Sequence, residues 1–286
     1  MTLVAHRLHA LFAAELRGID LRDLADVSDL LLAMDEHAVC VVRHQVPLTD
    51  AEHIAFSLKL GPIEDRPVLV TSGVGVGMRV PHHEIIDQSN LDENGEIYRD
   101  DDRRIMFKRA NRLWHTDMSF YPVRATYSLL SAHEVPPGGA VTEFADMRAA
   151  YDALAEPMKA EIEDLVAEHS YWYSRRLGGG PAPTEEERRS RPPARHRLVH
   201  VHGGSGRKAL YIASHATHID GRPADEGQAL LDEVMVFATQ PQFIYRHEWR
   251  VGDVVIWDNL STMHRATPFD DTTHRRDMRR TTCREG

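Results

Sequence analysis

Short apolar, β-branched runs, each well below helix length and bounded by turn residues, recur along this chain and restrict it to a fold built mainly from strands. Residues 39–43 read VCVVR and residues 254–258 read VVIWD. Further strand candidates lie at 113–120, 126–134, 198–201, 209–213, 243–249 and 276–282. Pro136, Pro137, Gly138 and Gly139 connect 126–134 to an antiparallel partner at 140–144, and Gly203, Gly204, Ser205 and Gly206 predict a hairpin between 198–201 and 209–213. Helical spacing is confined to a few separated stretches: 27–36, a helix capped by Thr49 and stopped by Gly61 and Pro62, 147–165 and 224–239. The expected class is therefore mainly β with flanking helices, an antiparallel sandwich or jelly roll.

A length of 286 residues does not require a second domain, and residues 1–286 are expected to form one. Within it, 63–110 has no sustained period and is rich in Gly, Asp and Asn, which suggests a lid over a site. Residues 174–197, biased to Arg, Glu, Pro and Gly, suggest a mobile surface insertion. No apolar run approaches the roughly 18 residues of a membrane span, and the first residues lack a secretory pattern, so a cytoplasmic protein is expected. A net charge of -10 argues against a nucleic-acid partner. The basic cluster Arg275, Arg276, Arg279 and Arg280 is either a solvated face or a site for a small anionic partner, and whether the chain forms a homo-oligomer is left open.

The two cysteines, Cys40 and Cys283, form neither a disulfide framework nor a zinc pattern, so any metal must be held by His and carboxylates. In Trp114-His115-Thr116-Asp117, spacing of i and i+2 on an extended chain places an imidazole and a carboxylate on one face. A remote His264, just past the strand ending Trp257-Asp258, would complete three ligands and leave three positions open, the arrangement of non-haem Fe(II) oxygenases. Spacing alone is weak, because 18 histidines should give roughly one or two His-x-Asp matches by chance. His218-Ile219-Asp220 is one such match, followed by the turn residues Gly221 and Pro223; His82-His83-Glu84 is a related His-x-Glu. Each His also has an ordinary reading as a hydrogen-bonded strand residue.

Taken together, His115 and Asp117, Thr142, Trp257-Asp258-Asn259 before His264, and Arg275 beyond it resemble the TauD/TfdA family of 2-oxoglutarate-dependent dioxygenases. The resemblance runs from about residue 8 to the end. It is most similar to the aryloxyacetate dioxygenases in WHTD, DMRAAYDAL and VHGGSGRK. It implies a double-stranded β-helix (cupin-like jelly roll) core, with Fe(II), 2-oxoglutarate and O2 as cofactor and co-substrates.

By this resemblance His115, Asp117 and His264 hold iron, while Thr142 and Arg275 grip the far carboxylate of 2-oxoglutarate. Arg279, His215 and Ser119 contact the carboxylate-bearing substrate. On one strand Arg275 and Arg279 share a face and Arg276 and Arg280 share the other, and the second pair is the alternative register. The implied reaction hydroxylates the carbon beside the carboxylate of an aryloxyacetate such as 2,4-dichlorophenoxyacetate, giving a phenol and glyoxylate with succinate and CO2. Alternatives are the same chemistry on taurine, another sulfonate or another carboxylate, or a non-catalytic cupin-like module that binds a metal or anion. The lysines of the aryloxyacetate enzymes have no counterparts in RPVLVTS or NGEIYR.

Overall fold

The computed structural model describes residues 3–64, 79–99, 102–138 and 140–286. A seven-stranded sheet runs in the order Val4–Arg7, Ala14–Arg17, Val39–Arg43, Asp253–Asp258, Ala125–Glu134, Asp277–Arg284 and Ile86–Asp87. Opposite it lies a three-stranded sheet of Ile244–His247, Thr142–Asp146 and Thr262–Ala266, antiparallel throughout. Alternation along the strands divides their side chains between two environments. Val41, Leu130, Val255, Trp257 and Met278 form one buried cluster with Phe144 and Tyr245 of the smaller sheet. Their sequence neighbours Val42, Leu129, Val254 and Ile256 turn to the other face and pack with Leu30, Met34 and Phe56 of the flanking helices Ser28–His37 and Asp50–Ser57. Because both faces of the central strands are covered, VCVVR and VVIWD are apolar runs and do not alternate.

Local signals account for many boundaries. Thr49 accepts from the backbone N–H of Glu52 at 3.3 Å while the Glu52 carboxylate accepts from the N–H of Thr49 at 2.8 Å, a reciprocal cap that starts the Asp50–Ser57 helix. The helix expected over 147–165 is instead two, Met147–Ala153 and Glu156–Ile162. Leu154 and Ala155 are extended, consistent with Pro157 entering the first turn of the second helix, where its missing N–H is not needed. The expected strand over 113–120 reduces to a single bridge between His115 and His264, after which the chain turns through Met118 at φ 60°.

Residues 174–197 are built rather than irregular. The helix Tyr171–Leu177 enters the segment, Thr184 and Glu187 cap the helix Glu185–Ser190, and Ala194–Arg197 pairs with Val166–His169. Part of the expected lid, 65–78 and 100–101, lies outside the described residues. The described remainder extends the large sheet: Ile86–Asp87 pairs with Arg280 and Arg279, and Gln88 and Asn90 continue the contact through the backbone oxygens of Met278 and Arg276. No helix among the described residues is long and apolar enough to cross a membrane.

Gly252 closes the turn into Asp253–Asp258 at φ +90°, and a Cβ there would fall 2.1 Å from the backbone oxygen of His44. Gly252→Ala is expected to destabilise the protein by more than about 1 kcal/mol, since it adds a left-handed strain to a backbone clash. Urea unfolding measures this, and an unchanged midpoint would show that the turn relaxes freely.

Candidate metal centre and its anion-binding surroundings

His115 and His264 face each other because their backbones exchange two hydrogen bonds, 3.0 Å from His115 N to His264 O and 2.7 Å in return. One ligand atom from each of His115, Asp117 and His264 lies within 4.8 Å of the others, and all three side chains are buried. This is the only such group of three or more ligand residues among the described residues. His218 instead lies half exposed between Glu168 and Asp220, 3.8 Å from each.

The protonation states suit a cation. Burial first, relieved in part by Asp117, pulls the His115 pKa down to about 4, and burial with the neighbouring His115 holds His264 well below its ordinary value. Both imidazoles are thus neutral at pH 7 and carry a lone pair. His115 Nδ1 lies 2.7 Å from the backbone oxygen of Leu113, so the proton belongs on Nδ1 and Nε2 is left for a metal. For Asp117, burial alone would raise the pKa. The Arg280 guanidinium first, then His264, His115 and the Ser128 hydrogen bond, together outweigh it and hold the carboxyl well below the usual range. Arg280 Nη1 is 2.6 Å from Asp117 Oδ1, and Ser128 Oγ donates to Oδ2 at 2.7 Å.

Asn259 makes the Trp257-Asp258-Asn259 sequence intelligible. Its Oδ1 accepts from the N–H of Asp117 at 3.1 Å and from the Trp257 indole at 3.0 Å, while its Nδ2 donates to Ser128 Oγ at 2.9 Å. Thr116 Oγ1 donates to the Asn259 backbone oxygen at 2.7 Å. Asp258 meanwhile accepts from Leu260 N and Ser261 Oγ and lies 2.6 Å from His202 Nε2, which fixes the turn leading to His264. From sequence, Asn259 carries no role and Ser128 is not singled out. The Asn was visible in the motif; Ser128 is a small polar residue in a strand and gives no signal of its own.

The C-terminal strand departs from the expected register. Arg275 lies at the surface, where its Nε is 3.0 Å from Glu134. Arg279 pairs with Asp50 and Asp277 on the face toward the Asp50–Ser57 helix. Met278, in the interior cluster, marks the opposite face, and its even-numbered neighbours Arg276 and Arg280 share that face. Arg280 reaches the metal ligands, and Arg276 donates from Nη1 to the backbone oxygen of Gln88 at 3.0 Å. Arg280 is therefore the arginine of this strand that touches the metal ligands, and Arg276 shares its face. Asp277, without a role in the expected register, is held on the outer face by Arg79 and Arg279.

Thr142 is buried on the interior-facing parity of its strand, two residues before Phe144, and accepts a hydrogen bond from the Trp249 indole at 2.9 Å. Ser119 Oγ and His215 Nδ1 are 3.1 Å apart, both buried, and the His215 ring lies 6.0 Å from that of His115. Phe120 packs on His215 at 5.0 Å and on Tyr171 at 5.1 Å, forming an aromatic wall beside the metal ligands.

Two neutral imidazoles and one carboxylate converging inside a two-sheet β fold define a non-haem metal site of the oxygenase type. The family described as taurine catabolism dioxygenase TauD, TfdA family matches residues 5–282. The chain is 44% identical to the alpha-ketoglutarate-dependent 2,4-dichlorophenoxyacetate dioxygenase of Cupriavidus pinatubonensis, across 99% of this chain and 98% of that protein. It is 38% identical to an (S)-phenoxypropionate/alpha-ketoglutarate-dioxygenase of Sphingobium herbicidovorans, across 94% and 90%. The crystal structure of AAD-2 in complex with Mn(II) and N-oxalylglycine superposes with a TM-score of 0.89 at 42% identity, covering 99% of this chain and 97% of that one. The chain belongs to the TauD/TfdA family, and with it to the 2-oxoglutarate-dependent, non-haem iron dioxygenases with a cupin-like jelly-roll core.

Proposed function

We propose that this dioxygenase oxidises an aryloxyacetate such as 2,4-dichlorophenoxyacetate at the carbon beside its carboxylate, releasing a phenol and glyoxylate. The observation that carries this reading is the juxtaposition of the buried ligand trio, the Arg280 guanidinium on Asp117, and the aromatic wall of Phe120, Tyr171 and His215. Full-length identity to enzymes named for 2,4-dichlorophenoxyacetate and phenoxypropionate supports an aryl carboxylate over a sulfonate.

His115 Nε2, Asp117 and His264 Nε2 would hold Fe(II), which when bound supplies O2 activation coupled to decarboxylation of 2-oxoglutarate to succinate. Arg276, with Thr142, would grip the far carboxylate of 2-oxoglutarate through charge-assisted hydrogen bonds. Arg280 would orient the substrate carboxylate while continuing to neutralise Asp117. The Ser119 and His215 pair would contact the substrate, with the aromatic wall excluding water from the aryl group. A cytoplasmic location is part of the same reading.

The test is an anaerobically reconstituted Fe(II) enzyme given O2, 2-oxoglutarate and a panel of aryloxyacetates, arylpropionates and sulfonates. Phenol and succinate should appear together with an aryloxyacetate. Coupled turnover only with a sulfonate, or with no member of the panel, overturns the substrate assignment.

A further inference from the structure

A cavity opens between the segment 88–90, the helix Arg103–Arg109 and the chain beyond Thr262–Ala266; Lys108 and Arg276 line it together with Gln88, Ser89, Tyr98 and Thr267. The metal ligands do not line it; Arg276, on the same strand face as Met278 and Arg280, does. Lys108 Nζ donates to the backbone oxygen of Ser89 and to Tyr98 Oη at 3.1 Å, and lies 4.7 Å from the Tyr98 ring centre. Two cations are thus hung on consecutive carbonyls, Gln88 for Arg276 and Ser89 for Lys108.

Neither cation has a carboxylate within ion-pair distance among the described residues. The nearby acids are engaged elsewhere: Asp87 gives both oxygens to Arg79, and Asp271 accepts from Arg112 at 3.0 Å. Burial, partly offset by Asp87, pulls the Lys108 pKa down to about 8, and burial alone pulls that of Arg276 to about 10. Both groups remain largely charged at pH 7. Two desolvated cations facing one cavity are costly unless an anion joins them.

We propose that Lys108 is a second cation for the far carboxylate of 2-oxoglutarate, shared with Arg276. This rests on the assignment of Arg276 given above. A carboxylate offers about four lone-pair sites, enough for a two-pronged guanidinium on one edge and an ammonium on a remaining lone pair. With two of its three N–H groups on Ser89 and Tyr98, Lys108 retains one to donate. The lysine would select diacids over monoacids, whereas a lysine that only braced Ser89 and Tyr98 would not distinguish them.

The experiment is calorimetric titration of the Mn(II)-loaded protein with 2-oxoglutarate and with 2-oxopentanoate, which lacks the far carboxylate. Lys108→Met should weaken 2-oxoglutarate binding about 10-fold and leave 2-oxopentanoate within about twofold, with Lys108→Arg recovering part of the loss. If Lys108→Met does not fold, Lys108→Gln carries the same comparison. Equal weakening of both ligands, or of neither, overturns the proposal. Arg276→Met separates the two levels: a loss specific to 2-oxoglutarate there with Lys108 silent removes Lys108 alone, while no loss there removes the Arg276 assignment as well.

Discussion

Asp117→Ala is expected to abolish binding of Fe(II) and all 2-oxoglutarate-dependent turnover, and His115→Ala should do the same. Asp117 is the only carboxylate of the trio, so its loss leaves two neutral imidazoles to hold a dication next to the Arg280 guanidinium. That guanidinium is now paired with Asp117 at 2.6 Å, and without the carboxylate it would repel the metal. Removing one partner of a buried ion pair also costs about 3–5 kcal/mol of stability, so unfolding could imitate a loss of metal. Asp117→Asn separates the two effects, because it keeps the side-chain shape while removing the charge. Fe(II) or Mn(II) titration alongside thermal melting should show a folded Asn variant with metal affinity reduced by at least about 100-fold, the upper end of the loss when only a supporting partner of a ligand is removed. Full metal affinity in either Asp117 variant would mean that the carboxylate is not a ligand.

The trio itself could be recognised from order along the chain, but not from the His-x-Asp spacing alone. His218-Ile219-Asp220 has the same spacing and folds into a half-exposed strand end facing Glu168. Local elements such as Val39–Arg43 and the Thr49 cap were legible because their causes lie within a few residues. The turn after Asp117 was not, because it is held by Asn259, far away in sequence, and passes through Met118 at positive φ. A run of residues with strand propensity cannot announce that kind of tertiary override.

The arginine register failed for a more instructive reason. Counting Arg275 and Arg279 inward also sent Asp277 inward, where nothing would pair with it. The only large apolar residue among 275–280 is Met278, and its parity selects Arg276 and Arg280. The apolar member of a strand facing a packed interior is the better anchor for counting, since a one-residue error exchanges the two faces completely.

This register has a direct kinetic consequence. Arg276→Met should raise the KM for 2-oxoglutarate about 100-fold, equivalent to about 2.7 kcal/mol, while Arg275→Met should leave it within about twofold. The contrast follows from environment. Arg275 is exposed and its ion pair with Glu134 competes with water, so its removal changes little even for stability. Arg276 is partly buried against the cavity, donates only to a carbonyl among the described residues, and has no acid to neutralise it, so an incoming carboxylate would meet a cation that water no longer satisfies. Because Arg276→Met strands no buried carboxylate, the variant should fold and keep its metal affinity, which distinguishes a co-substrate defect from damage to the metal site. The substrate KM should shift much less than that for 2-oxoglutarate, since Arg280 and the aromatic wall are left intact. If Arg275→Met produced the larger change, the inward face of the strand in the working enzyme would be the odd-numbered one, and the pairing of Arg279 with Asp50 would have to break on binding.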